Sequence, residues 1–324
     1  MKVLITGGAG FIGYYVTKLL TSKGIEVIIY DSFVSFQHPA KSKYGEYLAR
    51  RMKNLSDIAT IIRGDINHKI YFEKILEEHK PDKILHLAAL SVADVSNNFS
   101  EEAMYHNLTG TVSILEVLKN KKYIERFVYT SSSMIYGDFQ SDSIDEEHPK
   151  NPKDIYGATK YAGEIMLKSF SLRFGIPYVI VRPSAVYGPL DSNRRVTQIF
   201  VDNALNGKTL FLDNGGDEKL DFTYVEDLAM GFYLCLTRPE AVGQTFNITY
   251  GEARSLKELA AAISTQVDNV KIESRVKEIF RPKRGTLCID KAKSILGYSP
   301  SIFLEKGIEK YIKKVKEFRN EGLL

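Results

Sequence analysis

The stretch TGGAGFIG, Thr6 to Gly13, stands between an apolar run, Lys2 to Ile5, and an amphipathic segment that continues to Lys23. That order predicts a strand, a glycine turn and a helix. Gly7 or Gly8 supplies the tight turn, Gly10 lets a backbone approach a pyrophosphate, and Gly13 lets helix and strand pack closely, while the helix N-terminus favours negative charge. Phe11 and Ile12, which open the helix, are placed at the same dinucleotide site. The next apolar run, EVIIY from Glu26 to Tyr30, ends in Asp31, whose carboxylate can accept both ribose hydroxyls of NAD. It would repel the 2′-phosphate of NADP, and no Lys or Arg occurs between Asp31 and Lys41 to offset that. NAD is the expected cofactor.

The 324 residues exceed the ~250 to 300 at which a single core stops growing. One large or two joined domains are expected. The net charge of +4 is small for this length, and Lys and Arg are interspersed with Asp and Glu, so neither nucleic acid nor an anionic membrane is an expected partner. Cys235 and Cys288 are too few for a disulfide framework and lack C-x-x-C spacing, which suits buried thiols in a reducing cytoplasm. The first residues already read as a core strand, so no signal peptide is expected, and no apolar run reaches the ~18 residues of a membrane helix. The six histidines are scattered and give a metal site no support.

Strand-like and helix-like segments alternate: ATIIR near Ile61, a helix around Ile70 to His79, KILHLAA from Lys83, a helix around Glu101 to Lys119, and RFVYTSS from Arg126. A helix follows Tyr156, and IPYVIVRP, Ile176 to Pro183, reads as a further strand. Such alternation predicts an α/β, Rossmann-type, doubly wound parallel sheet with helices on both faces. Beyond Pro189 the pattern loosens into loops rich in Asp, Asn and Gly, ending in an amphipathic helix from about Phe303. The expected division is a cofactor-binding domain over 1–183 and a smaller C-terminal α/β substrate lobe over 184–324, some of whose segments return to the main sheet.

In YGATK, Tyr156 and Lys160 are four apart at the start of a helix and share one face. Tyr14 and Lys18 repeat the spacing inside the first helix, so spacing alone decides nothing. Context does: Tyr156 follows the fifth strand and the cluster Ser131 to Ser133, where the carboxyl ends of parallel strands meet the cofactor crevice.

Taken together, these motifs resemble the extended short-chain dehydrogenase/reductases, in the branch of nucleotide-sugar epimerases and dehydratases, along essentially the whole chain. Further carriers are GDI at Gly64, HLAAL at His86, NLTGT at Asn107, SSSMIYG at Ser131, RPSAVYGP at Arg182, DFTYVEDLA at Asp221 and DKAKSILGYSP near the end. The resemblance implies that Asp65 and Ile66 flank the adenine, that Leu87, Ala88 and Ala89 line the cofactor phosphates and ribose, and that Asn107 supports the cofactor site. It implies Ser132, four residues before Tyr136 of the Y-G pair, as the catalytic hydroxyl. A base is required to take the sugar hydroxyl proton as hydride leaves the same carbon. Tyr156 is that base by similarity, with Lys160 and a positive nicotinamide lowering its pKa; a shift of three units corresponds to ~4 kcal/mol.

Relatives that eliminate water carry Asp-Glu directly after the catalytic Thr, whereas this chain has Ser133 and Met134, neither of which titrates in the relevant range. Epimerisation through a transient keto-sugar is the reading that needs only Tyr156, Lys160, Ser132 and a held NAD. A net dehydrogenase or keto-sugar reductase is the alternative; a 4,6-dehydratase or a non-catalytic NAD sensor comes behind both. Many relatives direct an Asn and an Arg at the substrate diphosphate where this chain has Ala185 and Leu220. Arg281 or Arg284 of FRPKRG is expected to take over, with Arg194, Arg195 or Lys219 assisting. Ser91 and Ser133 complete the expected substrate contacts. By the same resemblance, helices carrying Val112, Leu115, Ile165, Met166 and Phe170 pair with their copies in a homodimer.

Overall fold

A computed structural model of the chain describes residues 1–36, 43–276 and 281–322. Its centre is a parallel sheet that starts with β1 (Lys2–Thr6), continues through the glycine turn into α1 (Phe11–Ser22), and returns as β2 (Glu26–Asp31). The units α2 (Tyr44–Leu55), β3 (Thr60–Arg63), α3 (Lys69–His79), β4 (Lys83–His86) and β5 (Arg126–Thr130) follow. Across the seven-stranded sheet the order is Thr245–Asn247, Tyr178–Arg182, β5, β4, β1, β2, β3, with every neighbouring pair parallel.

Strands covered on both faces carry near-continuous apolar runs: β4 and β5 are buried at every position, with Ile84–Leu85 and Phe127–Tyr129 as their centres. One core layer joins α1, the underside of the sheet and the helix Val225–Thr237, through Val16, Leu20, Leu228 and Phe232. The opposite layer joins α3 and the helices Gly110–Leu118 and Ile155–Phe174, through Leu76, Leu115 and Leu167. Winding reverses between β1 and β4, which opens a crevice at their carboxyl ends.

A third apolar cluster gathers later residues, among them Phe200, Leu210, Phe222, Leu259, Ile308 and Ile312. Its strands form two-stranded ladders, including Lys219–Asp221 with Ala253–Ser255 and Leu210–Asp213 with Ile272–Arg275. Among the described residues no helix is long and apolar enough to cross a membrane.

Candidate functional site

A cavity of about 820 Å³ occupies the crevice and extends beneath the later segments. Gly7, Gly10, Phe11, Ile12, Gly13, Asp31, Asp65, Ile66, Leu87, Ala88, Ala89, Ser91, Ser132, Ser133, Tyr156, Lys160, Arg195 and Arg281 all line it. Asn107 and Lys219 do not. Lys219 lies in a short antiparallel ladder opposite Ser255 with its side chain exposed. Asn107 is buried behind the wall, where Oδ1 accepts from the Leu90 N–H at 2.8 Å and Nδ2 donates to the Leu90 carbonyl and to Thr159 Oγ1. It occupies a π-helical turn, Met104–Thr109, and so braces both a cavity-lining loop and the residue before Lys160.

The glycine turn is shaped for close approach. Gly7 has φ +71°, and a Cβ there would stand 2.7 Å from the Ala88 nitrogen, so only glycine fits without displacing β4's end. A Cβ on Gly13 would meet the Gly8 backbone at 2.6 Å, the helix-to-strand contact expected of that position. Asp31 holds the turn in place: its carboxylate accepts from the Ala9 N–H at 3.0 Å and from the Phe33 N–H at 2.8 Å. Burial raises its pKa against those hydrogen bonds and the charge of Arg51. Arg51 has no motif around it in the sequence. It arrives from α2, fully buried, with Nε donating to the Ala9 carbonyl and Nη1 to the Leu190 carbonyl, both at 2.8 Å. The turn therefore has one residue, Ala9, held on both sides, its N–H by a carboxylate and its carbonyl by a guanidinium.

Asp154 caps the helix Ile155–Phe174 by accepting from the Gly157 N–H at 2.7 Å, which fixes Tyr156 and Lys160 in its first turns. Lys160 is buried, donates to the Thr130 carbonyl at 2.9 Å and lies 5.2 Å from the centre of the Tyr129 ring. Desolvation lowers its pKa to about 7. Burial raises the Tyr156 phenol, while the Arg195 charge and a hydrogen bond with Ser132 act the other way. Ser132 stands two residues beyond β5, capping the short turn Ser133–Tyr136, and its hydroxyl accepts from the Met134 N–H at 3.1 Å. The hydroxyls of Thr130 and Ser131, buried at the cavity wall, have no protein partner. Tyr14, by contrast, is packed in the α1 core with its hydroxyl accepting from Asn54.

At the other end, Arg281 forms a half-exposed pair with Glu218 at 3.1 Å. Arg284 reaches further in, its Nη2 donating to Ser133 Oγ at 2.7 Å and to Ser184 Oγ at 3.0 Å. Arg195 donates to the Val186 carbonyl at 3.3 Å.

An acid-ended second strand, a left-handed glycine pressed against β4, a helix N-terminus and two unpartnered wall hydroxyls fit a dinucleotide along this crevice. Comparison with known proteins agrees. The chain is 30% identical to the putative UDP-glucose 4-epimerase of Methanocaldococcus jannaschii, over 97% of this chain and 98% of that one. It is 29% identical to the dTDP-D-glucose 4,6-dehydratase of Mus musculus, over 98% and 90%. The structure of the UDP-glucuronic acid 4-epimerase from Bacillus cereus, in complex with UDP-glucuronic acid and NAD, superposes with a TM-score of 0.89 at 27% identity, covering 98% of this chain and all of that one. Residues 3–249 match a family described as NAD dependent epimerase/dehydratase, and the chain belongs to that family.

Proposed function

We propose that this protein is an NAD-dependent epimerase of a nucleotide-diphosphate sugar. The observation that carries the reading is the meeting of Ser132, Tyr156 and Lys160 in one cavity, beside Ser133 and Met134 where an eliminating relative would place an acid and a base. Bound NAD would supply a hydride acceptor that later returns the hydride to the same carbon.

The chain's own residues do the proton chemistry. Ser132 directs the sugar hydroxyl, and Tyr156 removes its proton within ~3 Å. Lys160, already near neutrality by burial, holds cofactor ribose hydroxyls and stabilises the phenolate when protonated. With no group able to titrate at Ser133 or Met134, a keto-sugar has no route to lose water there, and hydride returns to either face. Residues 1–183 chiefly hold the cofactor and residues 184–324 chiefly hold the substrate, with Arg195 and Arg281 at the diphosphate. A homodimer is part of the same proposal: Ile165 is 49% exposed and Val112 half-buried on the two adjoining helices.

Incubation with NAD and a panel of nucleotide sugars tests the reading by 340 nm absorbance and product stereochemistry. A new epimer without lasting NADH is expected. Stoichiometric NADH would instead establish the dehydrogenase, and water loss the dehydratase.

A further inference from the structure

Arg284 is a cation whose hydrogen-bond partners are both neutral. Its guanidinium lies inside the cavity and donates to two neutral hydroxyls, Ser133 and Ser184. Among the described residues it forms no ion pair, although burial opposes its charge. The carboxylates that act on it from farther away are each engaged elsewhere. Glu218 pairs with Arg281 at 3.1 Å. Asp154 caps the Tyr156 helix through the Gly157 N–H. Asp221 accepts from the Leu287 and Gly251 N–H groups and from the Thr249 hydroxyl. A half-buried guanidinium inside a ligand cavity, with no ion-pair partner in contact among the described residues and its carboxylate neighbours bonded to other groups, is placed to meet a ligand's negative charge.

The position of the cation selects which ligand charge it meets. Ser133 follows Ser132 directly, and Ser132 and Tyr156 face the hydroxyl that is oxidised. In a nucleotide-linked pyranose the diphosphate hangs on C1, across the ring from C4, whereas the C6 group hangs on C5, beside C4. A guanidinium one residue from the hydroxyl-handling serine therefore meets a group on the carbon next to the reacting one. Arg281 and Arg195, also lining the cavity, remain for the diphosphate. Planar and always charged, a guanidinium matches a carboxylate with two parallel N–H donors.

We propose that Arg284, Ser133 and Ser184 form a carboxylate-binding subsite, so that the substrate is a nucleotide-diphosphate hexuronate oxidised at C4. This rests on the epimerase reading and takes C4 as the reacting carbon, the position in the names of the Methanocaldococcus jannaschii and Bacillus cereus relatives. The subsite itself is read by binding alone.

The test uses the full chain loaded with NAD and calorimetric titration of UDP-glucuronate, UDP-glucose and UDP, with GDP-mannuronate, GDP-mannose and GDP as the second set. The hexuronate is expected to bind about tenfold to a hundredfold more tightly than the matching hexose at whichever base binds best. In Arg284→Gln that ratio falls to about one, Arg284→Lys keeps part of it, and affinity for the free nucleotide diphosphate stays within about twofold. Ser184→Ala, which leaves the charge in place, is expected to narrow the ratio by less than Arg284→Gln and serves if the latter does not fold. A ratio near one in the unmodified protein overturns the subsite, as does failure to bind any of the sugars. An Arg284→Gln variant that loses the free diphosphate as strongly as the hexuronate makes Arg284 a diphosphate ligand and also overturns it. Tight hexuronate binding without any epimer formed would leave the subsite standing and remove the epimerase reading.

Discussion

Arg182 and Glu164 form a two-pronged ion pair in the interior, Nη2 to Oε2 at 2.7 Å and Nε to Oε1 at 2.9 Å, with each side chain 1% exposed. Glu164 lies one helical turn beyond Lys160, and Arg182 ends the strand beside β5. Arg182 also donates to the Tyr136 hydroxyl and the Glu146 carbonyl, and Tyr136 donates to Asn247. The pair thus joins the Tyr156 helix to the segment that follows Ser132. Glu164→Gln strands a buried cation and is expected to cost about 3 to 5 kcal/mol in chemical denaturation. Replacing both partners, Arg182→Met with Glu164→Leu, should recover much of that loss while lowering turnover through misplacement of Ser132. Equal stability of Glu164→Gln and the unmodified protein would show that the pair contributes nothing.

Tyr156→Phe should keep the fold and NAD binding while turnover falls by ~10² to 10⁴, the usual worth of a positioned acid or base. Tyr14→Phe, which loses only the Asn54 hydrogen bond, should leave kcat within about twofold. Similar small losses in both variants would exclude Tyr156 as the base.

Asp31→Ala should weaken NAD by about tenfold to a hundredfold, the value of charge-assisted bonds to ribose, with NADP affinity unchanged or improved. Arg51 does not reverse this preference, because its Nε and Nη1 donate to the Ala9 and Leu190 carbonyls. Fluorescence titration of both cofactors decides it. An unmodified protein that already prefers NADP would remove the ribose role of Asp31.

Burial raises the Asp221 carboxyl to about 6, against the hydrogen bonds from Leu287, Thr249 and Gly251. In the unfolded chain it ionises near ~3.9. Between these values the folded protein holds a proton that the unfolded chain has lost, so this group's contribution to stability grows as pH falls through about 6 and is complete below ~4. The unfolding free energy of the unmodified protein, relative to Asp221→Asn, should rise by about 2 kcal/mol from pH 7 to 4. A pH-independent difference between the two proteins would contradict this.

Light scattering at micromolar concentration should report a dimer, and Ile165→Glu should yield monomer by charging the helix face that is open in the single subunit. A monomer in the unmodified protein would end that proposal.

How far the sequence could be read depended on how local the determinant was. TGGAGFIG, the acidic end of EVIIY and the Tyr156/Lys160 spacing are short-range patterns, and each lands on the cavity wall. Arg281 and Arg284 lie three apart in one segment, and nothing in their spacing says which turns inward. Tertiary contacts decide: Phe139 N–H donates to the Lys283 carbonyl, the Asp138 carboxylate accepts from the Lys283 N–H, and Thr286–Leu287 pairs with Ser143–Ile144. Leu115 shows the same limit. Helical spacing placed it on an apolar face, but that face is buried in the subunit's own core, leaving Ile165 and Val112 for a partner. Arg51 was illegible because its two acceptors are backbone carbonyls, which leave no residue-type signature.

The strand Thr245–Asn247 completes the cofactor sheet from far along the chain, pairing with Tyr178–Arg182. Its consequence is felt during synthesis. At about 5 to 20 residues per second, the strand Tyr178–Arg182 waits on the order of several seconds after leaving the ribosome before its outer neighbour is made. Through that interval its N–H and C=O groups form an unpaired edge, and the apolar side of α1 lacks the helix Val225–Thr237 that covers it. Such edges recruit other chains. A nascent chain stalled between these two strands is the species that a holding chaperone would meet.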